Sequence, residues 1–391
     1  MKQIRYGIIG LGNQGTHYAK LFTRGKISGD AVVTAVCDCN EKKLQLFKEK
    51  DLGLEVAYFT DYKEMLDSGL CDAVFVETPH YVHPEIVKEA LSRGIHALCD
   101  KPAGVYTKQV REMNEYAATA NATFGMMFNQ RTNCVYRKMK QIIAEGGIGE
   151  LQRINWIVTD WYRTEQYYKS GEWRASWLGE GGGVLINQCP HQIDLFQWIV
   201  GKMPTTVRGF CQYGQWHDIE VEDEVTAFFT YDNGATGVLI TTTGEAPGTN
   251  RLEISGTKGK LLCEGDKLKW YKNEIDSQEW SRTCTPENGF KKPPCEVIEV
   301  ETDGENPQHA GIINNFTAAL LGKEPLFVAG TDGINGVELM NAIELSGWFG
   351  GEEITLPVDE ERYLAELNKR RATSKLQSEV SAGVADTAGT F

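Results

Sequence analysis

The chain has 391 residues, 41% hydrophobic and 24% charged, enough for two or three globular domains that bury cores without disulfides or metal. Its formal net charge is -14, from 40 basic and 54 acidic residues. That balance argues against a duplex-binding face, so nucleic acid is not an expected partner.

The opening MKQIRYGIIGLG runs straight into a strand pattern, with no apolar segment leading to a small-residue cleavage site, so no secretory signal is expected. No run of about 20 apolar residues follows, so no membrane partner is expected either. The ten cysteines are scattered without C-x2-C pairing and read as buried free thiols; no metal site is expected. A cytoplasmic protein fits this pattern.

Over residues 1–123, strand patterns (IRYGII, AVVTAVC, LEVAYF, AVFVE, IHALC, TFGMMF) alternate with helical ones, including His17 to Arg24, Pro84 to Arg93 and Lys108 to Ala120. The alternation predicts an α/β domain, a Rossmann-type doubly wound parallel sheet covered on both faces. In its first strand-to-helix turn, Gly10, Gly12, Asn13, Gln14 and Gly15 form a G-x-G-x-x-G motif. Such glycines allow a tight turn, close approach to a pyrophosphate and close helix packing, while the helix N-terminus faces the phosphates. Asp38, ending the second strand, can accept hydrogen bonds from ribose hydroxyls and would repel a 2′-phosphate, which favours NAD over NADP. Further along this domain come Thr78, Pro79 and His83 after the fourth strand, and Asp100, Lys101 and Pro102 after the fifth.

A helical pattern at Val135 to Ala144 leads to the turn-rich Gly146 to Glu150, and the texture then changes. Residues 124–371 are predicted to form an α+β domain with a mostly antiparallel, open-faced sheet. Turns at Asp232-Asn233-Gly234 and Gly256-Thr257-Lys258-Gly259 divide its hairpins, and one late helix pattern spans Gly333 to Gly347. Gln130 and Arg131, just after the sixth strand, fall near the expected cleft. Trp161, Tyr162, Arg163, Trp173 and Arg174 combine aromatic faces with polar groups, as sugar binding requires, though aromatic core or interface residues would read the same way. The two arginines would also suit a carboxylate or sulfonate. In the stretch Gly181 to Asp194, three glycines would let backbone approach a ligand, and Pro190 marks a helix start. Asn187, His191 and Asp194 share one face of that helix, with Asn187 either touching substrate or capping it. Residues 372–391 are small and polar and read as a disordered tail.

The glycine motif, Asp100-Lys101-Pro102 and Gly181-Gly182-Gly183 through His191 and Asp194 together resemble the Gfo/Idh/MocA oxidoreductases. Thr78-Pro79 with His83 and the helix start at Thr331-Asp332-Gly333 extend the resemblance over most of the chain. It implies NAD chemistry on a secondary hydroxyl, with Lys101 orienting the oxygen and His191 accepting its proton. Members with the inositol dehydrogenase pattern carry Asp where this chain has Asn187, so a carboxylate partner must come from elsewhere or be absent. The expected activity is oxidation of a sugar or glycoside, with C3 as the leading position. Alternatives are a redox-neutral glycoside-processing enzyme, an inositol or polyol dehydrogenase, and an NAD-sensing regulator without chemistry. The expected partners are a small sugar or glycoside and further copies of the chain, joined through the second sheet.

Overall fold

The computed structural model describes residues 3–376. Its first half alternates β1 (Ile4–Ile9), α1 (Asn13–Thr23), β2 (Ala31–Cys37), α2 (Glu41–Glu49), β3 (Ala57–Phe59), α3 (Tyr62–Asp67), β4 (Ala73–Val76), α4 (His83–Ser92), β5 (His96–Cys99), α5 (Thr107–Thr119) and β6 (Phe124–Met126). The strands pair in parallel in the order β3-β2-β1-β4-β5-β6. Their apolar runs are nearly continuous because helices cover both faces, as the sequence predicts. The order reverses between β1 and β4, which opens a crevice at the carboxyl ends of those strands.

The expected domain boundary at residue 123 falls one strand early. β6 pairs with β5 from Phe124 opposite Ala97 to Met126 opposite Cys99. An apolar strand needs a hydrogen-bonding edge, and β5 supplies it, so the first domain runs to about residue 128.

The second half contains α6 (Cys134–Ala144), β7 (Leu151–Val158), α7 (Glu165–Tyr168), α8 (Pro190–Trp198), β8 (Thr206–Tyr213), β9 (Glu222–Thr230), β10 (Thr236–Thr242), β11 (Asn250–Gly256) and β12 (Gly259–Glu264). There follow β13 (Lys267–Asn273), α9 (Ser277–Thr283), β14 (Cys295–Glu299), α10 (Gln308–Leu320), α11 (Gly333–Trp348), β15 (Ile354–Thr355) and α12 (Glu360–Thr373). Nine strands form one mixed sheet, β14-β13-β12-β11-β7-β10-β9-β8-β15, antiparallel except where β7 meets β10. Both anticipated turns close hairpins, with Gly234 at φ +81° and Gly259 at φ +140°, backbone that favours glycine. One face is covered: Phe196 of α8 lies against Gly237 of β10, and Ile343 of α11 lies against Gly209 of β8.

Two helices tie the halves together: α10, which the sequence reading missed, and α11, which matches the expected helix from Gly333 to Gly347. α10 returns to the first sheet, where Thr317 Oγ1 lies 2.8 Å from the Tyr6 hydroxyl and Asn314 Oδ1 accepts from the Ser28 N–H at 2.8 Å. On α11, the Asn341 amide accepts from Thr107 N and donates to the Val105 carbonyl, both at 2.9 Å. α12 carries ordered chain past the expected limit at 371, since burial of Tyr363 and Leu367 holds the helix through Thr373. The rest of the expected tail, from residue 377, lies outside the described residues. All ten cysteines are free thiols, and Cys37, Cys71, Cys99, Cys189, Cys211 and Cys263 are buried. Among the described residues, no helix is long and apolar enough to cross a membrane.

Candidate active site

The glycine turn joins β1 to α1 at the sheet's reversal point. Gly10 has φ +99°, and a Cβ there would lie 2.3 Å from the Glu77 carbonyl oxygen; at Gly15 it would lie 1.9 Å from that of Gly10. Both glycines are therefore required by the protein's own packing. Gly12 is different, because a Cβ there would meet no atom within 4 Å and would project into the cradle at the start of α1. No side chain caps that helix. Asp38 folds the turn from the other side, accepting hydrogen bonds from Leu11 N at 2.8 Å and Asn40 N at 2.9 Å. The Thr78 hydroxyl is buried here without a hydrogen-bond partner. An open cradle, uncapped helix N–H groups, a carboxylate at the end of β2 and an unused hydroxyl together fit a dinucleotide.

Substitutions separate these roles. Gly12→Ala should fold with stability within about 0.5 kcal/mol of the parent and bind NADH about tenfold more weakly. Gly15→Ala should lose about 1–3 kcal/mol of stability through overpacking. Asp38→Ala should narrow the preference for NADH over NADPH. Denaturant midpoints read the two glycine variants, fluorescence titration with both reduced cofactors reads binding, and an unchanged preference in Asp38→Ala would remove Asp38 from ribose recognition.

The loops after β4 and β5 meet through His83, whose Nδ1 lies 2.8 Å from the Pro102 carbonyl oxygen and Nε2 2.7 Å from that of Thr78. Both ring nitrogens are thus taken by protein. His83, expected at the cofactor, instead clamps together the two loops that carry Thr78, Pro79, Lys101 and Pro102. Lys101 leaves the end of β5 and donates from Nζ to the Asn187 carbonyl at 2.7 Å. Burial lowers its pKa from the ordinary lysine value; Asp100 and Glu180 oppose that shift, and Arg174 and Arg163 add to it. That bond brings the strand-end lysine of the first domain to the glycine-rich segment of the second.

In that segment the glycines serve the protein rather than a ligand, contrary to the sequence expectation. Gly181 has φ +89°, and a Cβ on Gly183 would lie 2.0 Å from the Glu222 carbonyl oxygen. The Glu222 carboxylate accepts from Gly183 N at 2.8 Å and Leu185 N at 3.1 Å. Asn187 is not a helix cap, since α8 is capped at Cys189 without a side-chain bond. Its amide donates to Glu180 and accepts from the Tyr167 hydroxyl at 3.3 Å, so protein occupies both of its ends. The carboxylate that Asn187 engages is Glu180, a residue the sequence reading passed over although it directly precedes the three glycines. Its charge favours the protonated form of Lys101. His191, in the first turn of α8, is buried with no hydrogen-bond partner at Nδ1. Burial first, then the charges of Lys101 and His309, hold its pKa well below the ordinary imidazole value, so the ring is neutral at pH 7.

Arg131 and Asp194, expected at the substrate, are turned toward each other in the core. Arg131 Nε and Nη2 each donate to Asp194 at 2.7 Å, and Nη1 reaches Asp332 at 2.6 Å. The side chains of the pair are 2% and 1% exposed, which removes both from substrate contact. Gln130 donates to Gln308 Oε1 at 3.3 Å. His309, also missed, has Nε2 at 3.2 Å from Gln14 Nε2 and stacks edgewise on His17, linking α10 to the glycine turn. Burial lowers its pKa to about 3. On the opposite wall, Arg174 stacks on Tyr167 at 4.4 Å and Trp173 at 4.6 Å, while Arg163 stacks on Tyr167 at 5.0 Å and Trp161 at 5.6 Å. Tyr162 is half-exposed beside them.

Residues 4–128 match the model of an oxidoreductase family with an NAD-binding Rossmann fold, and residues 136–262 match the GFO/IDH/MocA C-terminal domain. The chain is 27% identical over 267 residues to myo-inositol 2-dehydrogenase of Thermotoga maritima, covering 67% of this chain and 75% of that protein. It is 25% identical over 260 residues to 1,5-anhydro-D-fructose reductase of Ensifer adhaerens, covering 66% and 75%. Its fold is similar to that of the WlbA dehydrogenase from Bordetella pertussis in complex with NADH and UDP-GlcNAcA. That match has a TM-score of 0.76 at 24% identity, over 92% of this chain and 99% of that one.

Proposed function

We propose, for a chain that belongs to the Gfo/Idh/MocA oxidoreductases and uses NAD, oxidation of a secondary hydroxyl of a sugar or glycoside to a ketone. The observation that carries the reading is that Lys101 is tied to the segment that carries His191 and that its charge acts on that ring. Lysine Nζ is bonded to the carbonyl of Asn187, four residues before the histidine. NAD, when bound, takes up the hydride from the carbinol carbon. The residues handle the rest. Lys101 donates to the reacting oxygen and lowers its pKa, and neutral His191 accepts the hydroxyl proton. Gly10, Gly12, Asn13, Gln14, Gly15, Asp38, Thr78 and Pro79 surround the cofactor. Trp161, Tyr162 and Trp173 support a glycoside with a bulky aglycone, and C3 is the carbon we assign.

The test is absorbance in the reduced-nicotinamide band with NAD and a panel of sugars and aryl glycosides, with mass spectrometry on the same samples. Reduced cofactor accumulating in step with a 3-keto product is the expected result. Aglycone release without reduced cofactor would replace net oxidation with transient oxidation and elimination, and the absence of both products would refute both readings.

We also place contacts between copies of the chain on the outer face of the nine-stranded sheet, where Ile157, Phe210 and Phe228 are solvent-facing. Sedimentation should show an oligomer that Phe210→Lys with Phe228→Lys dissociates; a monomeric parent would overturn this.

A further inference from the structure

Three cations border the cleft, and they are not equally satisfied. Lys101 is held by the Asn187 carbonyl. Arg174 donates to the Tyr167 hydroxyl at 2.7 Å and to Ser170 Oγ at 3.0 Å, with Glu180 at 3.9 Å. Arg163 is fixed in place yet largely unused. Its N–H donates to the Thr243 carbonyl at 2.9 Å, and its own carbonyl lies 2.9 Å from His217 Nε2. Its guanidinium makes one hydrogen bond, from Nη1 to the Tyr162 carbonyl at 3.0 Å. Nε is buried with no partner, and no carboxylate of the described residues lies within ion-pair distance. Asp160 feels its charge from farther off but is engaged with Asn250.

A guanidinium carries five donors in a planar fork whose Nη edge matches a carboxylate, and the protein uses only one Nη donor of Arg163. A sugar hydroxyl could accept from one donor but would leave the charge uncompensated. Tyr167 connects this fork to the chemistry: its ring carries Arg163, and its hydroxyl donates to Asn187, whose carbonyl holds Lys101. Through these contacts Arg163 and Lys101 flank the same two residues, and the Arg163 charge is felt at Lys101.

Building on the proposed oxidation, we propose that the substrate is an acidic sugar, a hexuronic acid or its glycoside, whose carboxylate is received by Arg163 while a ring hydroxyl reaches Lys101 and His191. Arg163 is then the specificity-determining residue.

The test compares 4-nitrophenyl glucuronide and galacturonide with the matching neutral glycosides. Turnover with NAD is measured, and binding to the NADH-loaded protein is measured by calorimetry, so that binding is read even without turnover. The hexuronides should bind at least about tenfold more tightly, a preference that weakens with added salt. Arg163→Gln should bring that ratio close to one and Arg163→Lys should keep part of it, with NADH titration showing that each variant is folded. Equal or weaker binding of the hexuronides, or a parental ratio in Arg163→Gln, would overturn the assignment. Tight hexuronide binding without a ketone product would sink the oxidation alone and leave the carboxylate site standing. Ketone formation from neutral glycosides without hexuronide binding would do the reverse.

Discussion

Lys101→Ala and His191→Ala are each expected to lower kcat by about 100- to 10,000-fold, the usual range for a positioned proton-transfer group, while NADH still binds. The two losses should not add, because one residue lowers the pKa of the hydroxyl whose proton the other accepts. The pH profile carries more information than the size of the loss. His191 must be neutral to accept a proton, and its pKa is held well below 6.5 by burial and by Lys101 and His309. The acid limb of kcat/KM for oxidation should therefore lie below pH 6.5. Lys101 acts as a cation and has a lowered pKa, so the alkaline limb should fall below pH 10.5. Lys101→Arg should move that alkaline limb upward, since a guanidinium does not deprotonate in this range. A profile flat to pH 10.5, or an acid limb above pH 6.5, would mean that these groups are not the ones titrating.

Much of this site was legible in the sequence because its signals are local. Gly10, Gly12 and Gly15 announce a turn through spacing alone, and Asp38 and Lys101 end strands whose apolar runs are unmistakable. What escaped depends on pairings between distant residues. Arg131 and Asp194 are 63 positions apart, and nothing in either segment shows that each would use the other as its counter-ion. Glu180 stands one residue before the glycines, but its role depends on where Asn187 and Lys101 converge. α10 was missed although its buried residues His309, Ile312, Ile313, Phe316 and Thr317 lie on one face, because two of the five are polar and bury only through contacts with distant parts of the chain. His309 went unnoticed with it. The boundary at residue 123 failed for a related reason: β6 is only three residues long, and its place in the first sheet is fixed by the free edge of β5.

The ion pair that displaced two expected substrate contacts carries the largest stability effect we anticipate. Arg131→Met should destabilise the protein by about 3–5 kcal/mol, because it leaves the Asp194 carboxylate buried and uncompensated. Removing Asp332 should cost no more than about 1 kcal/mol, since that partner is 38% exposed and water can replace much of the interaction. Arg131→Met combined with Asp194→Leu should recover most of the loss, because an apolar pair of similar volume also packs against Phe128 and Trp198, which now flank the guanidinium at 5.0 and 5.3 Å. Denaturant midpoints for the three variants give the order directly. The double variant also tests the functional assignment: with neither charge present, a scaffold role predicts that KM for the sugar stays close to the parental value. A KM raised tenfold in a variant of recovered stability would return Arg131 and Asp194 to the substrate site.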